Sequence, residues 1–224
     1  LGARLGFKVR LAVPGNINPE RKRILLAYGA ALDLTSPLEG SDGAIRHARA
    51  LYEEDPDAYF YPDQYNNPDN WKAHYHGTGP EIWEQTEGSV THFVAGLGTS
   101  GTFRGVSSFL KERNPALRAI SVQPDGALHG LEGLKNMETS LLPGIYDPSL
   151  RDEEFFIGTE QAQALVRRAA REEGLLIGNS SGANLAAALR VAEPLHRAGR
   201  KATVATVFPD GGERYLGERF WEGG

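Results

Sequence analysis

Hydrophobic and polar positions along this chain follow two rhythms, short apolar runs of strand length and longer stretches with the spacing of an amphipathic helix. In the first sixty residues the pattern predicts a strand at Lys8–Val13, a turn at Pro14-Gly15, a helix over Pro19–Tyr28, a second strand at Ala31–Leu34 and a helix through Gly43–Glu54. The aromatic, Pro- and Asn-rich stretch Tyr59–Trp71 then breaks the periodicity. It marks a domain junction near residue 62, dividing residues 1–62 from residues 63–224. Beyond it the pattern gives a helical Pro80–Gln85, a buried strand His92–Ala95, a glycine loop Gly96–Thr102 and a helix from about Phe103 to Glu112. A strand Arg118–Gln123, a long irregular stretch Pro124–Glu153, helices Glu160–Glu172 and Gly182–Leu195, and a last strand Thr203–Phe208 follow. Strands alternating with helices predict an α/β fold with mainly parallel, twisted sheets covered on both faces. Such sheets place ligands at the carboxyl ends of their strands.

Composition narrows the chemistry. Across 224 residues, 24 basic and 29 acidic side chains leave a net charge of −5, with no run of like charge that would serve as a nucleic-acid arm. No nucleic-acid partner and no membrane partner are expected, because no apolar run approaches the ~18 residues of a membrane span. A soluble, cytoplasmic protein is the default. The absence of Cys excludes disulfides, thiolate nucleophiles and Cys-containing zinc sites. Glycine, at 27 residues, points to tight turns and close backbone approaches. The chain opens at Leu1 in a segment, Leu1–Gly6, that reads as the end of an apolar helix, so further sequence upstream is expected.

Three small-residue loops carry the candidate chemistry. Gly96-Leu97-Gly98-Thr99-Ser100-Gly101-Thr102 joins a strand to a helix start, where free amides and the helix dipole favour an anion and the hydroxyls add donors. No Gly-Lys-Ser/Thr follows, and the spacing is not that of a dinucleotide fingerprint, so the phosphate belongs to another kind of ligand. The alternative is a tight turn with N-capping hydroxyls. Gly178-Asn179-Ser180-Ser181-Gly182 joins the strand-like run Leu175–Ile177 to a helix, and Pro209-Asp210-Gly211-Gly212-Glu213-Arg214-Tyr215 follows the last strand at the same expected edge. His74 and His76, at i and i+2 with no third ligand, do not build a zinc site, and no metal is expected.

These residues are similar to those of the fold-type II pyridoxal-phosphate (PLP) enzymes, specifically cysteine synthases and their sulfhydrylase relatives. The motifs that carry the resemblance are Asn67-Pro68-Asp69-Asn70 before His74–Ile82, the loop Gly96–Thr102, Ser180-Ser181-Gly182, and Gly212-Glu213-Arg214-Tyr215-Leu216. Gly133-Leu134-Lys135-Asn136-Met137 followed by Leu142–Pro148 resembles the CysM-type branch, which includes enzymes that prefer O-phosphoserine.

The resemblance implies a tryptophan-synthase β-like fold, with residues 1–62 a remnant of a small mobile domain and residues 63–224 the PLP-binding domain. It implies a transferase of cysteine biosynthesis: β-replacement of an O-activated serine, acetyl or phospho, by sulfide or another sulfur donor, in a homodimer. Gly98, Thr99, Ser100, Gly101 and Thr102 would hold the PLP phosphate, with Ser100 standing where the family usually has Gly. Gly211 stands where many relatives have the serine that meets the ring nitrogen, so Ser180 is the partner expected here, with Asp210 as second candidate. Gln64 and Tyr65 would line the substrate cavity. Lys135, in preference to Arg104, would meet a substrate phosphate, the alternative being an exposed loop lysine. None of the lysines, Lys8, Lys22, Lys72, Lys111, Lys135 and Lys201, matches the family's Schiff-base position, and all read as surface, loop or strand-end residues. The catalytic residue is therefore unassigned. Either the chain belongs to a longer enzyme, or it is a catalytically incomplete fragment that binds PLP or a partner without turnover.

Overall fold

The computed structural model describes residues 1–222. Two compact units divide it: Leu1–Pro62 with Arg214–Glu218, and Asp63–Glu213 with residues 219–222.

In the first unit, helix α1 (Gly2–Leu5), strand β1 (Arg10–Pro14), helix α2 (Pro19–Ala27), strand β2 (Ala31–Thr35) and helix α3 (Gly40–Glu54) follow in order. β1 and β2 pair in parallel from Arg10 opposite Ala31 to Pro14 opposite Thr35. The start of α2 is set locally: the Asn18 side-chain oxygen accepts from the amides of Glu20 (2.9 Å) and Arg21 (3.4 Å), and Pro19 occupies the first helical position. Of α3 only Gly43, Ala44 and Ile45 are buried. A polar clamp adds to this thin apolar contact. The Asp33 carboxylate accepts from Arg10 Nε and meets His47 Nε2, each at 2.9 Å, and Arg10 also donates to the Tyr59 hydroxyl at 2.7 Å. The His47 hydrogen bond, aided by Arg10 and opposed by partial burial, holds the Asp33 carboxyl below its ordinary pKa.

The second unit runs α4 (Asp69–His76), α5 (Thr78–Gln85), β3 (His92–Gly96), α6 (Gly101–Arg113), β4 (Arg118–Pro124), β5 (Glu153–Ile157), α7 (Thr159–Glu172), α8 (Asn179–Arg197) and β6 (Val204–Thr206). Its four strands lie in the order β5-β4-β3-β6, all parallel. Alternation along the strands sorts the core into two layers. Phe93 and Ala95 of β3 and Ala119 of β4 pack against Phe103, Val106, Phe109 and Leu110 of α6. Val94, Ile120 and Val122 pack against Ala162 of α7 and Ala183, Ala186 and Ala187 of α8. The sheet is thus covered on both faces, and each fully buried Phe, Leu, Ile or Val side chain contributes roughly 1.5–3 kcal/mol.

Three expectations change. Asp69–His76 is a helix, started where the Asn67 side chain accepts the Asp69 amide at 2.9 Å; its polar and aromatic residues hide a helical face from periodicity. The irregular stretch ends in a strand, because Glu153 and Glu154 of β5 are satisfied across the sheet by Arg118 (2.8 Å) and by Ser121 and Gln123 of β4 (3.0 and 2.6 Å). Leu175–Ile177, in contrast, is no strand of the sheet: Ile177 makes only an isolated antiparallel bridge to Gly211, three residues after Gly174 turns the chain at φ 68°. Among the described residues no helix is long and apolar enough to cross a membrane.

Candidate functional site

The carboxyl end of β3 is extended one residue by Leu97, whose amide donates to the Val122 carbonyl at 2.9 Å and whose carbonyl accepts the Lys135 amide at 2.8 Å. This double anchor fixes the root of the glycine loop. Ser100, the residue just before α6, has φ 71° and ψ 1°, the left-handed region in which a side chain costs roughly 1–2 kcal/mol. That conformation explains why glycine is the unstrained choice there. Ser100 is 2 % exposed, and its Oγ has no hydrogen-bond partner. A buried hydroxyl without a partner is costly, unless a ligand completes it.

The glycines of the loop are held to their size by backbone neighbours and by Asn70. A Cβ on Gly98 would fall 2.3 Å from the Gly133 carbonyl oxygen, and one on Gly101 would fall 1.7 Å from Asn70 Oδ1. Asn70, from the first turn of α4, donates to the Gln64 carbonyl at 2.7 Å and to Thr99 Oγ1 at 3.1 Å. Thr99 Oγ1 also accepts the Gly101 amide at 3.3 Å. With two hydrogens coming in, the Thr99 hydroxyl keeps its own proton to donate outward. Thr102 Oγ1 lies 3.2 Å from His74 Nε2, and His74 Nδ1 lies 3.0 Å from Thr78 Oγ1. Both ring nitrogens of His74 are therefore engaged by threonines, and burial pushes its pKa down. In the sequence Asn70 stands out only as part of a motif and His74 only as a possible metal ligand; no signal short of the α4–α6 packing joins them to the loop.

Lys135 lies in a loop but is not the exposed lysine of the alternative reading. It is 3 % exposed, and its Nζ stands 5.4 Å from the centre of the Tyr65 ring, a cation–π contact. Tyr65 is itself fixed by its carbonyl, which accepts the Ile145 amide at 3.3 Å. The segment just after Lys135 is pinned to β4. The Gln123 side chain accepts the Met137 amide at 2.7 Å, and the Asn136 side chain donates to the Pro124 carbonyl at 3.1 Å. Arg104 is committed elsewhere: it donates to the Ile145 carbonyl at 2.8 Å and stacks 4.6 Å from the centre of the Trp71 ring. A surface hollow of about 350 Å³ lined by Trp71, Lys72, Tyr75, His76, Arg104, Ser108, Glu112 and Asp147 contains none of the loop residues.

The second group assembles at the start of α8. Asn179, Ser180 and Ser181 are all buried. The carbonyl of Asp210 accepts from the Gly178 amide (3.0 Å) and from Ser181 Oγ (3.4 Å), so the strap after β6 is tied to this helix start. At Gly211 the space for a side chain is filled by the Glu213 carboxylate, 2.0 Å from where a Cβ would sit. Asn184, one turn into α8, donates to the Val207 carbonyl at 2.9 Å. A Cβ on Gly96 would fall 2.9 Å from its Oδ1, so α8 reaches the end of β3. The structure thus joins Gly98–Thr102 to Gln64 through Asn70, and to Lys135 and Tyr65 through Leu97, while Ser180 and Asp210 share the neighbouring helix start.

The chemistry of the loop fits the phosphate monoester of PLP on this chain's own features: a partnerless buried hydroxyl at Ser100, a Thr99 hydroxyl with its proton to give, and the first-turn amides of Thr102 and Phe103, which have no acceptor within α6. Among the described residues no group of three His, Asp or Glu is arranged to hold a metal ion.

Comparison with known proteins agrees. The model of the family described as pyridoxal-phosphate dependent enzyme matches residues 1–210. Cysteine synthase from Aquifex aeolicus is 51 % identical over 216 residues, 96 % of this chain and 66 % of that protein. Cysteine synthase B from Pseudomonas aeruginosa is 43 % identical over 212 residues, 94 % of this chain and 68 % of that protein. The crystal structure of O-acetylserine dependent cystathionine beta-synthase from Helicobacter pylori superposes with a TM-score of 0.89 at 36 % identity, covering 98 % of this chain and 72 % of that one. The chain spans about two thirds of the length of the curated relatives it matches. With its parallel α/β sheets and these relatives, the chain belongs to the cysteine synthases of the pyridoxal-phosphate dependent enzyme family.

Proposed function

We propose that the protein containing this chain replaces the activated hydroxyl of an O-acetyl- or O-phosphoserine by sulfide or another sulfur donor, yielding cysteine with PLP as cofactor. PLP, when bound, would supply the electron sink that lets acetate or phosphate leave the β-carbon and the sulfur donor add in its place. The chain's own residues supply binding and orientation. The amides and hydroxyls of Gly98, Thr99, Ser100, Gly101 and Thr102 grip the phosphate, and their rigidity comes from the Asn70 and Gly133 contacts. Ser180, buried at the start of α8, meets the ring nitrogen as a neutral hydroxyl, with Asp210 the second candidate. A neutral partner leaves the ring less cationic than a carboxylate would. Gln64 and Tyr65 border the substrate, and Lys135 meets the substrate's leaving phosphate when one is present. A cation buried against Tyr65 lies in a site screened from water, where charge acts at low dielectric. The small mobile domain built on residues 1–62, homodimer assembly and a cytoplasmic place of action belong to the same reading and rest on the family resemblance.

The observation that carries the proposal is the partnerless, left-handed Ser100 at the head of α6. Equilibrium dialysis of the chain against PLP tests it: saturable binding with one PLP per chain is expected, and no binding would overturn it. For the substrate, Lys135→Ala is expected to weaken O-phosphoserine binding about tenfold or more while leaving O-acetylserine within about threefold, because only the former loses a charge-assisted contact. Equal losses would remove Lys135 from that role.

A further inference from the structure

Asn70 and His74 lie four residues apart on α4, and thus on one helix face. Each reaches a different threonine of the loop: Asn70 Nδ2 donates to Thr99 Oγ1 at 3.1 Å, and His74 Nε2 lies 3.2 Å from Thr102 Oγ1. For Asn70 the direction is set, since an amide nitrogen only donates. For His74 it depends on the tautomer. Burial alone pushes its pKa down, with no charged side chain contributing, so the ring is neutral at neutral pH and has one donor and one acceptor nitrogen. If Nδ1 carries the proton, it donates to Thr78 Oγ1, and Thr102 must spend its own proton on Nε2. Thr102 would then turn a lone pair to any anion at the start of α6. If Nε2 carries the proton, the Thr78 hydroxyl donates to Nδ1, Thr102 accepts from Nε2, and the Thr102 proton is left for the anion.

Resting on the PLP-phosphate reading of the loop, we propose that His74 is a positioning residue for the phosphate: as the Nε2–H tautomer it holds Thr102 as an acceptor and turns the Thr102 proton outward, as Asn70 does for Thr99. One face of α4 thereby sets the donor direction of both threonines. The ring acts through Thr102 and need not touch the ligand.

Nitrogen-15 NMR of the imidazole in the unaltered, PLP-loaded chain reads the tautomer directly. A protonated Nε2 and a bare Nδ1 are expected, and the reverse would overturn the proposal. A double-mutant cycle on PLP affinity separates orientation from general support. His74→Leu is expected to weaken PLP about tenfold, the size of one hydrogen bond to a charged group, and His74→Gln, which keeps a donor, to cost about threefold or less. In the Thr102→Val background the same His74→Leu change is expected to cost almost nothing. An undiminished loss there would mean that His74 merely supports the fold, and would also overturn the proposal. If the unaltered chain binds no PLP, both this proposal and the phosphate reading fail; if PLP binds and the tautomer or the cycle disagrees, only this one does.

Discussion

The starts of α6 and α8 are written in the same alphabet, glycine, serine, threonine and asparagine before a helix, yet their polar atoms do opposite work. At α6 the Asn70 side chain and the Gly101 amide donate into Thr99, and Ser100 Oγ is left without a partner in a strained left-handed turn. At α8 the Ser181 hydroxyl is spent on the Asp210 carbonyl, Gly178 is bonded to the same carbonyl, and Gly182 lets α8 press against the backbone of α7. The first is a helix start left open for an anion; the second is a joint between elements, with Ser180 as the hydroxyl proposed for the ring. Capping residues alone do not make a site. What distinguishes one is whether neighbouring elements consume or supply its donors.

The largest expected effects divide these two starts. Gly182→Val would bring a Cβ to 2.4 Å from the Ala162 carbonyl oxygen, so destabilisation of about 3 kcal/mol or more is expected in urea unfolding, with PLP affinity of the remaining folded protein little changed. Gly101→Val should do the converse. Its Cβ collides with the Asn70 side chain, so Asn70 and with it Thr99 must move. PLP affinity is expected to fall about 100-fold, the equivalent of some 2.7 kcal/mol, by dialysis. Gly101→Val with normal affinity, or Gly182→Val with none, would erase the distinction.

Ser100 sharpens the same comparison at smaller scale. Ser100→Gly relieves the left-handed strain, and after the added flexibility of glycine a gain of up to about 1 kcal/mol is expected in thermal unfolding. PLP affinity should fall severalfold through loss of the buried hydroxyl. A variant that gains stability and keeps full affinity would take Ser100 out of the phosphate contact.

Much of this was legible in the chain. The β3–α6 strand, loop and helix follow from an apolar run meeting a glycine cluster, and the parallel sheet from strands alternating with helices. What escaped was set by tertiary partners. Lys135 reads as a loop lysine because its burial depends on Gln123 and Asn136 pinning the segment and on Tyr65 from elsewhere in the sequence. β5 escaped because Glu153 and Glu154 look solvated until Arg118, Ser121 and Gln123 are seen to satisfy them. The roles of Asn70 and His74 needed α4, a helix without a clear apolar period.

The smallest expected effect contrasts the two units through pH. In the second unit, burial holds His74, His92 and His129 below their ordinary pKa. The unfolded chain therefore takes up protons first as pH falls below the ordinary His value of about 6.5, and stability should decline from there down to the folded pKa values. In the first unit the depressed Asp33 carboxyl works in another window. Its contribution is present above the ordinary Asp value of about 3.9 and is lost only as pH falls through its lower folded pKa. Hydrogen exchange at pH 7 and pH 5 should show weakened protection in the second unit, with Asp33 adding no loss to the first; equal weakening of both would contradict the assignment.

The central claim is that the start of α6, and not that of α8, grips the PLP phosphate. Amide NMR of the chain titrated with PLP addresses it most directly. The largest shift changes are expected at Gly98 through Phe103, with smaller ones at Ser180 and Ser181 from the ring. Largest changes at Gly178 to Gly182, with the amides of Gly98 to Phe103 unmoved, would contradict it.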